Sequence, residues 1–186
     1  MSIAGSLMQQ DLEGVSPEIM AEAIADMFAG KEPRYTPEMA NSIIQNYLQG
    51  AGEAKFAQNK EAGEAFLHEN GSKEGVHTTP SGLQYSVITE GNGPKPGSAD
   101  MVTVHYHGTL IDETVFDSSV HRGQPATFGV HQVIPGWTEA LQLMNVGSKY
   151  RLYIPQELSY GANPHPGGPI KPYSALIFDV ELLAIA

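Results

Sequence analysis

A chain of 186 residues, 41% of them hydrophobic, can bury a sizeable core and can hold one domain or two. Its net charge of -11 offers no cationic footprint for nucleic acid, and the absence of cysteine excludes disulfides and thiolate chemistry. No apolar run approaches the ~20 residues of a membrane span and no signal peptide is visible, so the chain as written reads as cytoplasmic, or as periplasmic if an N-terminal signal has been removed.

Residues 1–77 read as helical and carry 12 acidic against 5 basic residues, a net of -7; the remainder, at 9 against 5, is net -4. Ser2 to Gln10 places Ile3, Leu7 and Met8 on one side, with no capping residue before it. Ser16-Pro17-Glu18 is a helix start: a hydroxyl to cap, a proline where no amide donor is needed, an acid near the positive end. Ile19, Met20, Ala23, Ile24, Met27 and Phe28 then form an apolar stripe that stops at Gly30. Thr36-Pro37-Glu38 opens a second helix through Met39, Ile43, Ile44, Tyr47 and Leu48 to Phe56, Phe66 and Leu67, closed by Asn70-Gly71. At about 34 residues it would reach ~50 Å, too long for two short companions to cover. Gly50, Gly52 and Gly63 each cost roughly 1 kcal/mol against alanine, so packing must hold it. The excess apolar face predicts a dimerisation module and an arm; a three-helix cap within one chain is the alternative. Met8, Met20, Met27 and Met39 suit either an adaptable client-binding surface or an ordinary core.

Residues 75–82 form a polar connector, after which 78–186 read as a separate α+β domain of short antiparallel strands, one short helix and many Gly/Pro turns. Leu83, Tyr85 and Val87 alternate with polar neighbours, as do Val102, Val104 and Tyr106, then Tyr150, Leu152 and Ile154, and finally Leu176, Phe178, Val180 and Leu182. The centre is Val133-Ile134-Pro135-Gly136-Trp137, a short apolar run, a Pro-Gly turn, and the only tryptophan. Trp137, Ala140, Leu141 and Met144 make the stripe of a short amphipathic helix closed by Val146-Gly147. The indole is either a core plug or the floor of a cavity.

The sequence has no Gly-rich phosphate loop and no Gly-x-Ser-x-Gly elbow. His105 and His107 share one strand face, which suits a metal pair, or a solvated face of local hydrogen-bonders, since the other face is the apolar one. Asp117 has no second carboxylate nearby with which to divide acid and base roles. The loop from Tyr160 to Pro172 is too rich in glycine and proline to be regular and too long to be a simple connection.

Phe116-Asp117-Ser118-Ser119, Val133-Ile134-Pro135-Gly136-Trp137, Tyr160-Gly161 and the run from Leu176 to Leu182 resemble the FK506-binding class of peptidyl-prolyl isomerases, in order and at that family's spacing. The helical front half, residues 104–108 and Gly167-Gly168-Pro169-Ile170 are similar to its bacterial two-domain, macrophage-infectivity-potentiator-like subgroup. The resemblance implies a twisted antiparallel sheet wrapped around a short helix, and a homodimer paired through N-terminal helices. It makes Trp137 the floor of a pocket and Tyr106, Phe116, Phe128, Val133, Ile134, Ile170 and Phe178 its walls. Tyr160 would donate its hydroxyl, and Ile134 its backbone amide, to substrate carbonyls; Asp117 would be the polar group at the edge, either facing substrate or anchoring its neighbours. The implied partners are unfolded or proline-containing polypeptides and FK506- or rapamycin-type ligands. No cofactor or metal is needed. Ala126, where many members carry an aromatic, implies a wider or less selective pocket, and Asn163-Pro164 an altered flanking loop. The implied activity is X-Pro isomerisation; a non-catalytic proline-binding module or holdase is the alternative.

Overall fold

A computed structural model describes residues 16–32 and 34–186. The Ser2–Gln10 helix expected from the sequence lies outside the described residues. The chain divides into two compact units, residues 1–55 and 56–186.

The described part of the first unit is helical. Helix α1 is Pro17–Phe28; the Ser16 hydroxyl accepts from the Ile19 N–H, and Gly30 leaves the helix at φ 68°. Helix α2 is Pro37–Asn70, 34 residues, and its first turn is capped by the Thr36 hydroxyl, which accepts from the Met39 N–H at 3.3 Å. Both starts follow from the Ser/Thr-Pro-Glu signals. Phe28 is 90% exposed and Met27 78%, so the stripe of α1 is not covered within the described chain. No described helix is long and apolar enough to cross a membrane.

The second unit holds one antiparallel sheet of seven strands: β1 Val76–Thr78, β2 Gln84–Thr89, β3 Met101–Leu110, β4 Val115–Ser118, β5 Ala126–Gly129, β6 Lys149–Ile154 and β7 Leu176–Ile185. Their order is β1-β2-β6-β7-β3-β4, with β5 also paired to β3. Helix α3, Pro135–Leu143, packs on one face of the sheet through Trp137, Ala140 and Leu141. Facing them are Val102 and Val104 of β3, Leu152 and Ile154 of β6, and Leu176, Val180 and Leu182 of β7, all buried. The four alternating segments of the sequence are β2, β3, β6 and β7, as their periodicity of two demands.

Two expectations change. Pro135-Gly136 is not a turn but the first turn of α3, with proline at a position that needs no N–H donor. The apolar run before it is preceded by a 3-10 turn, Val130–Gln132; the Thr138 hydroxyl donates to the Val130 carbonyl at 2.7 Å and fastens helix to turn. The polar connector contains β1, and β4 and β5 were not visible in the pattern at all.

Candidate active site

Trp137, in the first turn of α3, is 4% exposed and touches both the core and an open cleft, so it is plug and floor at once. Around it stand aromatic rings set edge to face: Tyr106 with centroids at 5.4 Å, Phe178 at 5.2 Å and Phe128 at 5.6 Å, while Phe116 meets Phe178 at 5.2 Å. Such tilted contacts suit the quadrupoles of the rings and hold them as fixed walls. Glycine makes one of these walls possible: a Cβ on Gly108 would fall 2.7 Å from the Phe116 ring and 2.8 Å from that of Phe178.

The cleft has a volume of about 600 Å³. All ten residues singled out from the sequence line it: Tyr106, Phe116, Asp117, Phe128, Val133, Ile134, Trp137, Tyr160, Ile170 and Phe178. Tyr106 comes from β3, Phe116 and Asp117 from β4, Phe128 from β5 and Phe178 from β7. A register shift between Gly108 and Thr109 interrupts the β3–β4 ladder opposite Phe116 and Asp117, where the two successive residues both reach the cleft. Val133 and Ile134 follow the 3-10 turn, and Tyr160 and Ile170 belong to the long loop. Gln132 and His165, not singled out from the sequence, also line the cleft, as do Gly168 and Pro169 of the Gly167-Gly168-Pro169-Ile170 motif. Ala126, expected to widen the cleft, pairs with Val104 and is not among the lining residues.

The polar edge is a network. Tyr106 donates its hydroxyl hydrogen to Asp117 Oδ2 at 2.5 Å; Arg122 pairs through Nη1 with Asp117 Oδ1 and through Nη2 donates to the Tyr106 oxygen at 2.7 Å. Burial works against ionisation of Asp117, but the hydrogen bonds from Tyr106 and Arg122 outweigh it and hold the carboxyl below its usual range. Arg122 escaped the sequence reading because it sits in the turn after β4, where nothing local marks it; its spacing of five from Asp117 was the only clue.

Among the described residues nothing accepts from the Ile134 N–H or bonds the Tyr160 hydroxyl. Burial, and then the charge of Asp117, push the Tyr160 hydroxyl above its ordinary value, so at neutral pH it is a protonated donor. At the floor, Trp137 Nε1 is buried with no hydrogen-bond partner among the described residues. His105 and His107, by contrast, are local hydrogen-bonders: their Nδ1 atoms lie 3.0 Å from the Ser119 and Ser118 hydroxyls, away from the cleft.

A family model described as "FKBP-type peptidyl-prolyl cis-trans isomerase" matches residues 93–183, and one described as "Domain amino terminal to FKBP-type peptidyl-prolyl isomerase" matches 1–87. The chain is 46% identical over 188 residues to the FKBP-type 22 kDa peptidyl-prolyl cis-trans isomerase of Escherichia coli strain K12, covering 100% of this chain and 91% of that one. The chain belongs to the FKBP-type peptidyl-prolyl cis-trans isomerases. It is also 45% identical to a Legionella longbeachae protein named Outer membrane protein MIP, over 92% of this chain and 76% of that one. The crystal structure of FkpA from Escherichia coli superposes with a TM-score of 0.70 at 36% identity, over 98% of this chain and 89% of that one. The chain is accordingly an isomerase of the FKBP type, with the helix-wrapping sheet of that family.

Proposed function

We propose that the cleft isomerises X-Pro bonds by moving the amide out of water and fixing it in a turned shape. The observation that carries this reading is an aromatic box with two unused donors, the Tyr160 hydroxyl and the Ile134 N–H, at its rim. An X-Pro bond interconverts in tens to hundreds of seconds because twisting it breaks amide resonance, a barrier of ~18–20 kcal/mol. The planar amide is the more charge-separated form, so an apolar box disfavours it relative to the twisted transition state. The two donors hold the flanking carbonyls and seat the proline ring over Trp137. A lowering of about 5.5 kcal/mol is enough for roughly ten-thousandfold acceleration. No bond to a side chain forms and no proton is transferred, so neither nucleophile nor base is required.

In the same reading residues 78–186 are the isomerase domain and residues 1–77 the dimerisation and arm region. The exposed stripe of α1 is covered by a second copy of the chain, and the paired arms gather unfolded clients between two clefts. FK506- and rapamycin-type ligands occupy the cleft in competition with proline segments. The name of the Legionella longbeachae relative, Outer membrane protein MIP, supports the cell envelope as the compartment.

The test is the cis/trans exchange rate of an Ala-Leu-Pro-Phe peptide, followed by nuclear magnetic resonance with catalytic amounts of the protein. Acceleration abolished by FK506 supports the mechanism and its site. Binding without acceleration gives the cleft to a holdase instead.

A further inference from the structure

The last fifteen residues of α2 belong to the second unit, and one stripe of them faces it. Asn59, Gly63, Phe66 and Asn70 recur at spacings of four, three and four, the interval that aligns side chains on one side of a helix. Each meets the catalytic unit. Asn70 and Gln84 are buried together, with Asn70 Nδ2 donating to Gln84 Oε1 at 3.0 Å, and Gln84 Nε2 returns to the Leu67 carbonyl at 2.8 Å. Phe66 lies against Tyr153 with ring centroids 6.0 Å apart. Gly63 is buried so closely that a Cβ on it would come within 3.2 Å of Ala175 Cβ. Asn59 Nδ2 donates to the Pro172 carbonyl at 3.3 Å.

The last two contacts fall where the loop lining the cleft returns to the sheet. That loop runs from Gly161 to Tyr173, and the Tyr173 N–H closes it by donating to the Gly161 carbonyl at 2.8 Å. Tyr173 takes a positive φ of 61°, a strained value for a side chain of its size, so the base of the loop is held by its surroundings and not by local preference. Ile170, two residues before the Asn59 contact, forms one wall of the cleft together with Gly168 and Pro169. A loop so rich in glycine and proline has no ladder of its own to define it, and its position depends on what it is tied to.

We propose that Asn59 and Gly63 of the long helix are positioning residues for the isomerase reaction. They set the base of the 161–173 loop, and with it the Ile170 wall that receives substrate. The inference rests on the cleft being the isomerase site. The helix is thereby part of the binding apparatus for substrate without touching it, and a change along it reaches the cleft through Pro172 and Ala175.

The experiment measures KM and kcat for the Ala-Leu-Pro-Phe peptide, together with the Ile170 methyl resonance, in the full chain carrying Asn59→Ala, Asn59→Asp or Asn59→Gln. Asn59→Ala is expected to raise KM about fivefold, the scale of one neutral hydrogen bond, with kcat within about twofold, and to shift the Ile170 methyl. Asn59→Asp loses the donor and sets a carboxylate against a carbonyl, so it should be at least as impaired; Asn59→Gln keeps a donor and should recover most of the affinity. Gly63→Ala, which crowds Ala175, should move the same resonance. A melting temperature that falls in Asn59→Ala while KM and the Ile170 signal stay unchanged would make the contact merely structural and overturn the proposal. A wild-type chain that fails to accelerate exchange overturns the isomerase reading instead; the Ile170 resonance still reports on the loop, and its indifference to Asn59→Ala overturns the proposal separately.

Discussion

The two units use the same kinds of side chain to opposite ends. In the catalytic unit Trp137 and Phe178 are 4% and 5% exposed, their rings locked edge to face by neighbours from several strands. In the helical unit Phe28, at 90%, and Ile19, at 68%, stand in the open on a well-capped helix. Good caps and a correct stripe suffice to write a helix, but a stripe stabilises only when something covers it. The catalytic unit supplies its own cover; among the described residues the stripe of α1 has none.

Substitutions can break this contrast. The largest effect is expected from Leu141→Ala, which empties a fully buried site between α3 and the sheet and should cost about 2–5 kcal/mol in urea unfolding, whereas Phe28→Ala should cost the catalytic unit nothing measurable. Next, Tyr160→Phe should lower kcat/KM about three- to tenfold, the worth of one hydrogen bond to substrate, at nearly unchanged stability; full activity would remove Tyr160 from the mechanism. Asp117→Asn should reduce turnover by a few-fold, and more than it reduces stability, because the amide oxygen keeps an acceptor for Arg122 while the amide NH2 can donate to a reoriented Tyr106 hydroxyl; parallel losses would make the carboxylate purely an anchor. A double Met27→Glu, Phe28→Glu change should shift sedimentation from dimer to monomer, sparing the peptide rate while slowing catalysed refolding of a protein substrate. Removal of residues 1–55 should behave likewise, and removal of 1–70, which also takes Asn59 and Gly63, should impair the peptide reaction too.

The smallest effect is in pH. Asp117 is more acidic folded than unfolded, so the stability it contributes is present above its unfolded pKa and is lost only as pH falls through the depressed folded value, below the usual carboxylate range. The Tyr160 hydroxyl moves the other way and stays protonated far above neutrality. The rate of the chemical step should therefore be level from about pH 5 to 9.

Much of this was legible in the chain. Ser16-Pro17-Glu18 and Thr36-Pro37-Glu38 gave both helix starts, and the alternation through Val102, Val104 and Tyr106 gave β3. The cleft residues were legible for a different reason: their motifs match a family, whereas periodicity alone left Trp137 as either plug or floor. Arg122, Gln132 and His165 were not legible, because each lies in a turn or loop whose local pattern says only that the chain reverses.

What the sequence determined by itself is what lies within a few residues: the caps, the stripes, and the strands long enough to alternate. Strands of three or four residues, such as β1, β4 and β5, are too short to show a period and exist only because a longer neighbour pairs with them. The clasp of Arg122 on Tyr106 and Asp117, and the bond from Asn59 to the Pro172 carbonyl 113 residues away, were decided by the tertiary structure alone. Their energies depend on distances that packing sets, and no local pattern in the chain encodes them.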